Sequence, residues 1–217
     1  MANRSKRILC YGDSNTWGWV PAKNGTQRYD ENSRWPKLLQ SKLGDGYEVI
    51  EEGLGARTTM FDDPRPELPL RNGLKTLPII LESHLPLDLV ILMLGTTDAK
   101  ELFGFSADKI SEGMQALIHA VKNFRTLSGT KPPQILVVVP PIVKEDTEFA
   151  AKLFKGATEK TTELVDKYKI LTEQENVHYL NPNDDIQVDQ SEGVHIDSKN
   201  HKTLAKLIHA KVVEIGL

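Results

Sequence analysis

The chain has 217 residues, with 27 Lys+Arg against 30 Asp+Glu and a formal net charge of -3. One domain is expected at this length, with a core large enough to stand without disulfide or metal staples. The near-balance of charge argues against nucleic acid or an anionic membrane as a partner, and the single cysteine, Cys10, excludes a disulfide scaffold and favours a reducing compartment.

The opening Met-Ala-Asn-Arg-Ser-Lys-Arg leads into an apolar run that stops at Gly12, too soon for a signal-peptide core. No stretch approaches the ~20 apolar residues of a membrane span, so a cytoplasmic location is expected. The first strand is predicted over residues 7–11. Ser33 is expected to cap a helix through Trp35, Leu38, Leu39 and Leu43, with Pro36 in its first turn. Residues 47–51 form the second predicted strand. Residues 57–73 are the least regular stretch. They hold Asp62-Asp63-Pro64-Arg65-Pro66 and Pro69, and read as a long loop able to act as a lid or a subunit contact.

Asn72 or Thr76 caps the next helix, which ends near His84, and residues 87–94 form the third strand. Ser106 caps a helix with Ile110, Met114, Leu117, Val121 and Phe124 on one face. A fourth strand over residues 134–139 precedes a helix holding Leu153, Ala157, Thr161, Leu164, Tyr168 and Leu171. The fifth strand covers residues 177–180. Ser198 is expected to cap the last helix, with Leu204, Ile208, Val212 and Ile215 on its apolar face. Most of these strands are rich in Val, Ile and Leu without polar alternation, the mark of burial on both faces. The alternation predicts an α/β fold: a single domain over residues 1–217, with a five-stranded, mostly parallel sheet between two helical layers. Functional residues then belong just past the carboxyl ends of the strands.

The first strand ends in Gly12-Asp13-Ser14-Asn15-Thr16-Trp17-Gly18. This turn can hold a serine hydroxyl out of the sheet. Taken alone it also fits an Asx or Ser turn, and its hydroxyls and amides could cradle a phosphate, although Trp17 is awkward there. A serine nucleophile needs a base, and the base needs an orienting acceptor. Of the six histidines, His195 follows the last strand, in Gln190-Ser191-Glu192-Gly193-Val194-His195, at the sheet edge where Ser14 rises. Glu192, three residues earlier, is near enough to hold one ring nitrogen. The second strand ends in Glu51-Glu52-Gly53-Leu54-Gly55-Ala56 and the third in Gly95-Thr96-Thr97-Asp98; both can aim donors into the cleft. His195, Asp197 and His201 are better explained as a capped helix start than as metal ligands, and no cofactor is called for.

In their order, Gly12-Asp13-Ser14, Gly55-Ala56, Gly95-Thr96-Thr97-Asp98 and Glu192-Gly193-Val194-His195 resemble the four blocks of the SGNH (GDSL-type) hydrolases. The likeness is to the small bacterial arylesterase and acyltransferase branch, and it covers nearly the whole chain. It implies the flavodoxin-like SGNH fold, with Ser14 as nucleophile, His195 as general base and acid, and the N–H groups of Ser14 and Ala56 as oxyanion donors. Asp13 and Asp98 would brace loops. Three positions depart from the pattern. Asn15 replaces the usual Leu and is expected to matter little. Glu192 replaces the orienting Asp, and Thr97 replaces the Asn that donates to the oxyanion. The implied function is a serine esterase acting on short-chain acyl esters, with acyl transfer to alcohols as a further capacity. Trp17 and Trp19 would wall a small apolar pocket, and a homo-oligomer is expected, with residues 57–73 in or near a subunit contact. The alternative is a binding protein of the same fold, impaired at Glu192 and Thr97 or holding a flavin or other phosphate on its first loop.

Overall fold

A strand that must hide both faces needs a helical layer on each side, and the chain builds that arrangement. The computed structural model describes residues 4–23, 27–124 and 131–217. The strands are β1 (Lys6–Gly12), β2 (Tyr47–Gly53), β3 (Leu89–Met93), β4 (Gln134–Val138) and β5 (His178–Leu180). They lie in the order β2-β1-β3-β4-β5, and every neighbouring pair is parallel. The helices are α1 (Ser14–Trp17), α2 (Trp35–Leu43), α3 (Gly73–Ser83), α4 (Ala107–Lys122), α5 (Glu148–Leu153), α6 (Ala157–Glu175) and α7 (Ser198–Ile215). None of the described helices is long and apolar enough to cross a membrane.

Successive strand residues point to opposite faces, and the sheet thereby splits its side chains between two cores. Leu9, Tyr11, Val90, Leu92, Ile135 and Val137 pack with Leu77 of α3, Met114 of α4 and Leu164 of α6. Ile8, Cys10, Leu89, Ile91, Leu136 and Val138 pack with Trp35 and Leu39 of α2 and Leu204 and Ile208 of α7. The result is the expected three-layer sandwich. Cys10 is fully buried at the centre of β1, and burial, with Glu51 nearby, holds its thiol well above the ordinary range. The chain leaves β1 for β2 on one side and for β3 on the other. That reversal opens a crevice at the strands' carboxyl ends.

The caps differ from expectation in three places. Arg34, not Ser33, stands at the N-cap of α2, with no side-chain cap bond. Asp197, not Ser198, caps α7 and accepts from Asn200 N at 2.7 Å; a carboxylate is the better acceptor at a helix's positive end. The predicted helix through Leu153 and Ala157 is two helices. The Glu145 carboxylate accepts from Gly156 N (2.8 Å) and Thr158 N (2.7 Å), starting α6 afresh, and Gly156 lies at φ +77°. Elsewhere, Asn72 caps α3 and Ser106 caps α4 through their side chains, while Phe124 falls beyond the end of α4 at Lys122.

Candidate active site

The nucleophile loop is fixed before its chemistry begins. Asp13 follows β1 as the N-cap of α1, and its Oδ1 accepts from Asn15 N at 2.9 Å. This single helical turn lies against the end of β2. A Cβ at Gly53 would sit 2.2 Å from Trp17 N, so only glycine allows that approach. Ser14, the first residue of α1, is thereby held at the mouth of the crevice.

The histidine comes from the loop between β5 and α7. That loop is pinned by Asp189 N to His195 O (2.7 Å), Lys144 N to Gly193 O (2.8 Å) and Thr147 Oγ1 to Glu192 O (2.6 Å). Gly193 turns the chain at φ +82°, where a Cβ would lie 2.1 Å from Lys144 O. In consequence His195 Nε2 lies 2.8 Å from Ser14 Oγ, and His195 Nδ1 lies 2.7 Å from Glu192 Oε1. All three side chains are buried. The extra methylene of Glu192 is accommodated, but its Oε2 is buried without a partner among the described residues. Trp19 stacks on the imidazole, ring centroids 4.7 Å apart at 16°. Burial lowers the His195 pKa from its ordinary value. The hydrogen bond and charge of Glu192 oppose this, and Lys100 adds to the lowering.

Donors converge from the other strand ends. Ala56 sits at φ +63° in the turn after β2. The N–H groups of Ser14 and Ala56 make no hydrogen bond to a described residue, and both residues line the cavity. Thr97 lines it too, its hydroxyl unpartnered among the described residues. Asp98 lies behind this wall. It accepts from Thr59 N at 2.9 Å and from Thr59 Oγ1 at 2.6 Å, tying the loop after β3 to the one after β2. Burial pushes the carboxyls of Asp13 and Asp98 up to about 7 and about 6. Neither lines the cavity, and both brace loops as expected.

The cavity measures ≈ 440 Å³. Trp17 and Trp19 line it together with Leu54, Phe149, Leu153 and Phe154, while Arg65, Leu68 and Arg71 bring the long loop over it. Sequence reasoning missed Phe149 and Phe154, which arrive from a segment with no strand-end signal, and Lys100, which stands two residues past the strand-end block Gly95-Thr96-Thr97-Asp98. It also undervalued Asn15. Buried at the start of α1, Asn15 accepts from Ile196 N at 3.0 Å and donates to Val194 O at 3.4 Å. These bonds grip the backbone on both sides of His195, which a Leu could not do. The polar residue right after Ser14, at a position bound to be buried, was the signal available.

The model of the GDSL-like lipase/acylhydrolase family matches residues 10–209. An aryl esterase from M. smegmatis is 40% identical, with a TM-score of 0.90, covering 97% of this chain and 99% of that one. A carbohydrate acetylesterase from Sinorhizobium meliloti is 38% identical, with a TM-score of 0.90 over 97% of this chain and 100% of that one. An acetylxylan esterase from Xylanibacter ruminicola is 25% identical over 95% of this chain, which spans only 43% of that longer protein. With sequence blocks, topology and strand-end geometry in agreement over almost its whole length, the chain belongs to the GDSL-like lipase/acylhydrolase family and is an SGNH hydrolase.

Proposed function

We propose that the protein is a serine esterase that hydrolyses short-chain acyl and aryl esters through an acyl-enzyme. The observation that carries this reading is the unbroken contact from Ser14 Oγ through His195 to Glu192, at 2.8 and 2.7 Å. Ser14 Oγ attacks the ester carbonyl carbon as its proton passes to His195 Nε2, and Glu192 holds the imidazole with Nδ1 protonated. The carbonyl oxygen takes up negative charge between the Ser14 and Ala56 N–H groups, with the Thr97 hydroxyl as a third donor. The C–O bond to the alcohol breaks, and the alkoxide leaves with the proton from Nε2. Water then attacks the acyl-enzyme, giving its proton to His195, and the acid departs as that proton returns to Ser14. An alcohol in place of water completes an acyl transfer. The protein's own groups complete each step.

The esterase names of the similar structures support this reading, and so does a cavity with aromatic walls. A fluorophosphonate is expected to label Ser14 alone. Ser14→Ala is expected to lose labelling and to reduce hydrolysis of p-nitrophenyl acetate to background. Labelling that survives in Ser14→Ala would overturn the assignment.

A further inference from the structure

The cavity beside Ser14 and His195 is lined by three cationic side chains, Arg65, Arg71 and Lys100, and by no Asp or Glu among the described residues. Two of the three donate hydrogen bonds within their own loop, one of them to a carboxylate. Arg65 donates through Nε and Nη2 to the Asp63 carboxylate, at 2.8 and 2.5 Å. Arg71 donates through Nη1 to Pro69 O at 2.7 Å. Lys100 has no such partner. Its ammonium makes no hydrogen bond or ion pair with a described residue, and it lies over the Phe154 ring, 5.4 Å from the centroid. Burial, then the charge of Arg65, lowers its pKa to about 8 against the opposing charges of Asp63, Asp13 and Asp98, so at neutral pH it is still mostly charged. A partly buried ammonium with no hydrogen-bonded anion carries a desolvation cost that the more distant carboxylates offset only in part.

Hydrolysis of a neutral ester gives no reason to bear that cost. When Ser14 surrenders its proton, His195 becomes an imidazolium, and a second cation in the same cavity opposes that step. Lys100 is indeed among the groups that lower the His195 pKa. A substrate anion beside Lys100 would satisfy the ammonium and remove its opposition to the imidazolium. We propose that the cavity selects esters bearing a carboxylate, on the acyl or the alcohol side, and that Lys100 is the specificity residue that pairs with it. The aromatic walls then take the remainder of the substrate. This inference rests on the esterase reading above.

The test uses two pairs of esters that differ in charge. On the acyl side, mono-p-nitrophenyl succinate is compared with p-nitrophenyl butyrate. On the alcohol side, p-acetoxybenzoate is compared with its methyl ester. Each kcat/KM, measured at pH 7 and low salt, is divided by the ester's rate with hydroxide. The charged member of at least one pair is expected to lead by about tenfold or more, a charge-assisted contact seen mainly in KM. Added salt should shrink the lead. Lys100→Met should abolish the preference and Lys100→Arg should retain it, with circular dichroism showing both variants folded. Equal rates within both pairs in the unaltered protein, or a preference that survives in Lys100→Met, overturn the proposal; the first result stands even if a variant fails to fold. Turnover of the neutral esters without a preference sinks this inference and leaves the esterase reading intact. No turnover of any of the four, with Ser14 unlabelled, sinks both.

Discussion

His195 is subject to opposing influences, and their balance sets the working pH. Its neutral form takes the serine proton; the protonated form cannot. Activity therefore rises as pH climbs through its pKa. A carboxylate beside a histidine raises its pKa, but burial is the largest influence here and acts downward. The rising limb of kcat/KM for p-nitrophenyl acetate is accordingly expected below about pH 6.5. A rising limb above the ordinary histidine range, or none at any pH at which the protein stays folded, would count against His195 as the base. Thr97 supports a second prediction. Its hydroxyl is about one bond nearer the backbone than an Asn amide nitrogen, and β-branching restricts its χ1. Thr97→Asn is expected to raise kcat by about tenfold, a fraction of the ~10²–10³ that a full oxyanion donor is worth. An unchanged or lower kcat would show Thr97 to be adequate or idle. Ser14, Ala56, Thr97, Glu192 and His195 were legible because each follows a strand end, where α/β sheets gather their chemistry. Phe154 was not, since nothing in its local sequence says which cavity its segment will close, and Lys100, on the same loop as Thr97, reads in sequence as an ordinary solvated lysine.

At the scale of elements, the active site depends on two loops, one after β1 and one before α7, being held together. Asn15 joins them through Ile196 N and Val194 O. Asn15→Ala strands a buried N–H and a buried C=O, at a cost of about 1–3 kcal/mol each when unsatisfied. A lower Tm is expected, with a fall in kcat larger than any rise in KM, because the base moves while the pocket walls remain. Asn15→Asp, which keeps the acceptor for Ile196 N, should recover part of the loss. A Tm and kcat equal to those of the unaltered protein would show the bridge to be dispensable. The strands were readable because Ile8, Leu9, Val90 and Ile91 have no polar alternation and can only be buried on both faces. The break between α5 and α6 was not. It depends on Glu145, distant in sequence from the α6 N–H groups that it caps, while the apolar spacing of Leu153 and Ala157 runs through the gap as if the helix continued.

For the whole molecule, residues 57–73 do more than connect β2 to α3. Arg65, Leu68 and Arg71 close one side of the cavity, while Leu70 on the same loop is 74% exposed. That leucine offers an apolar point for the contact between copies of the chain expected at this loop. A homo-oligomer is the predicted state, with this loop at or near the contact. Light scattering should give a multiple of 24.3 kDa, and Leu70→Lys should shift the particle toward one chain. A one-chain mass for the unaltered protein at working concentration would refute the prediction. The buried thiol has a practical consequence of a different kind. Cys10 is the chain's one cysteine, sealed in the centre of the sheet with its thiolate disfavoured. A cysteine placed anywhere on the surface would then be the sole fast-reacting thiol. The native sequence thus already serves as the silent background for attaching a dye, a spin label or a solid support at one chosen point.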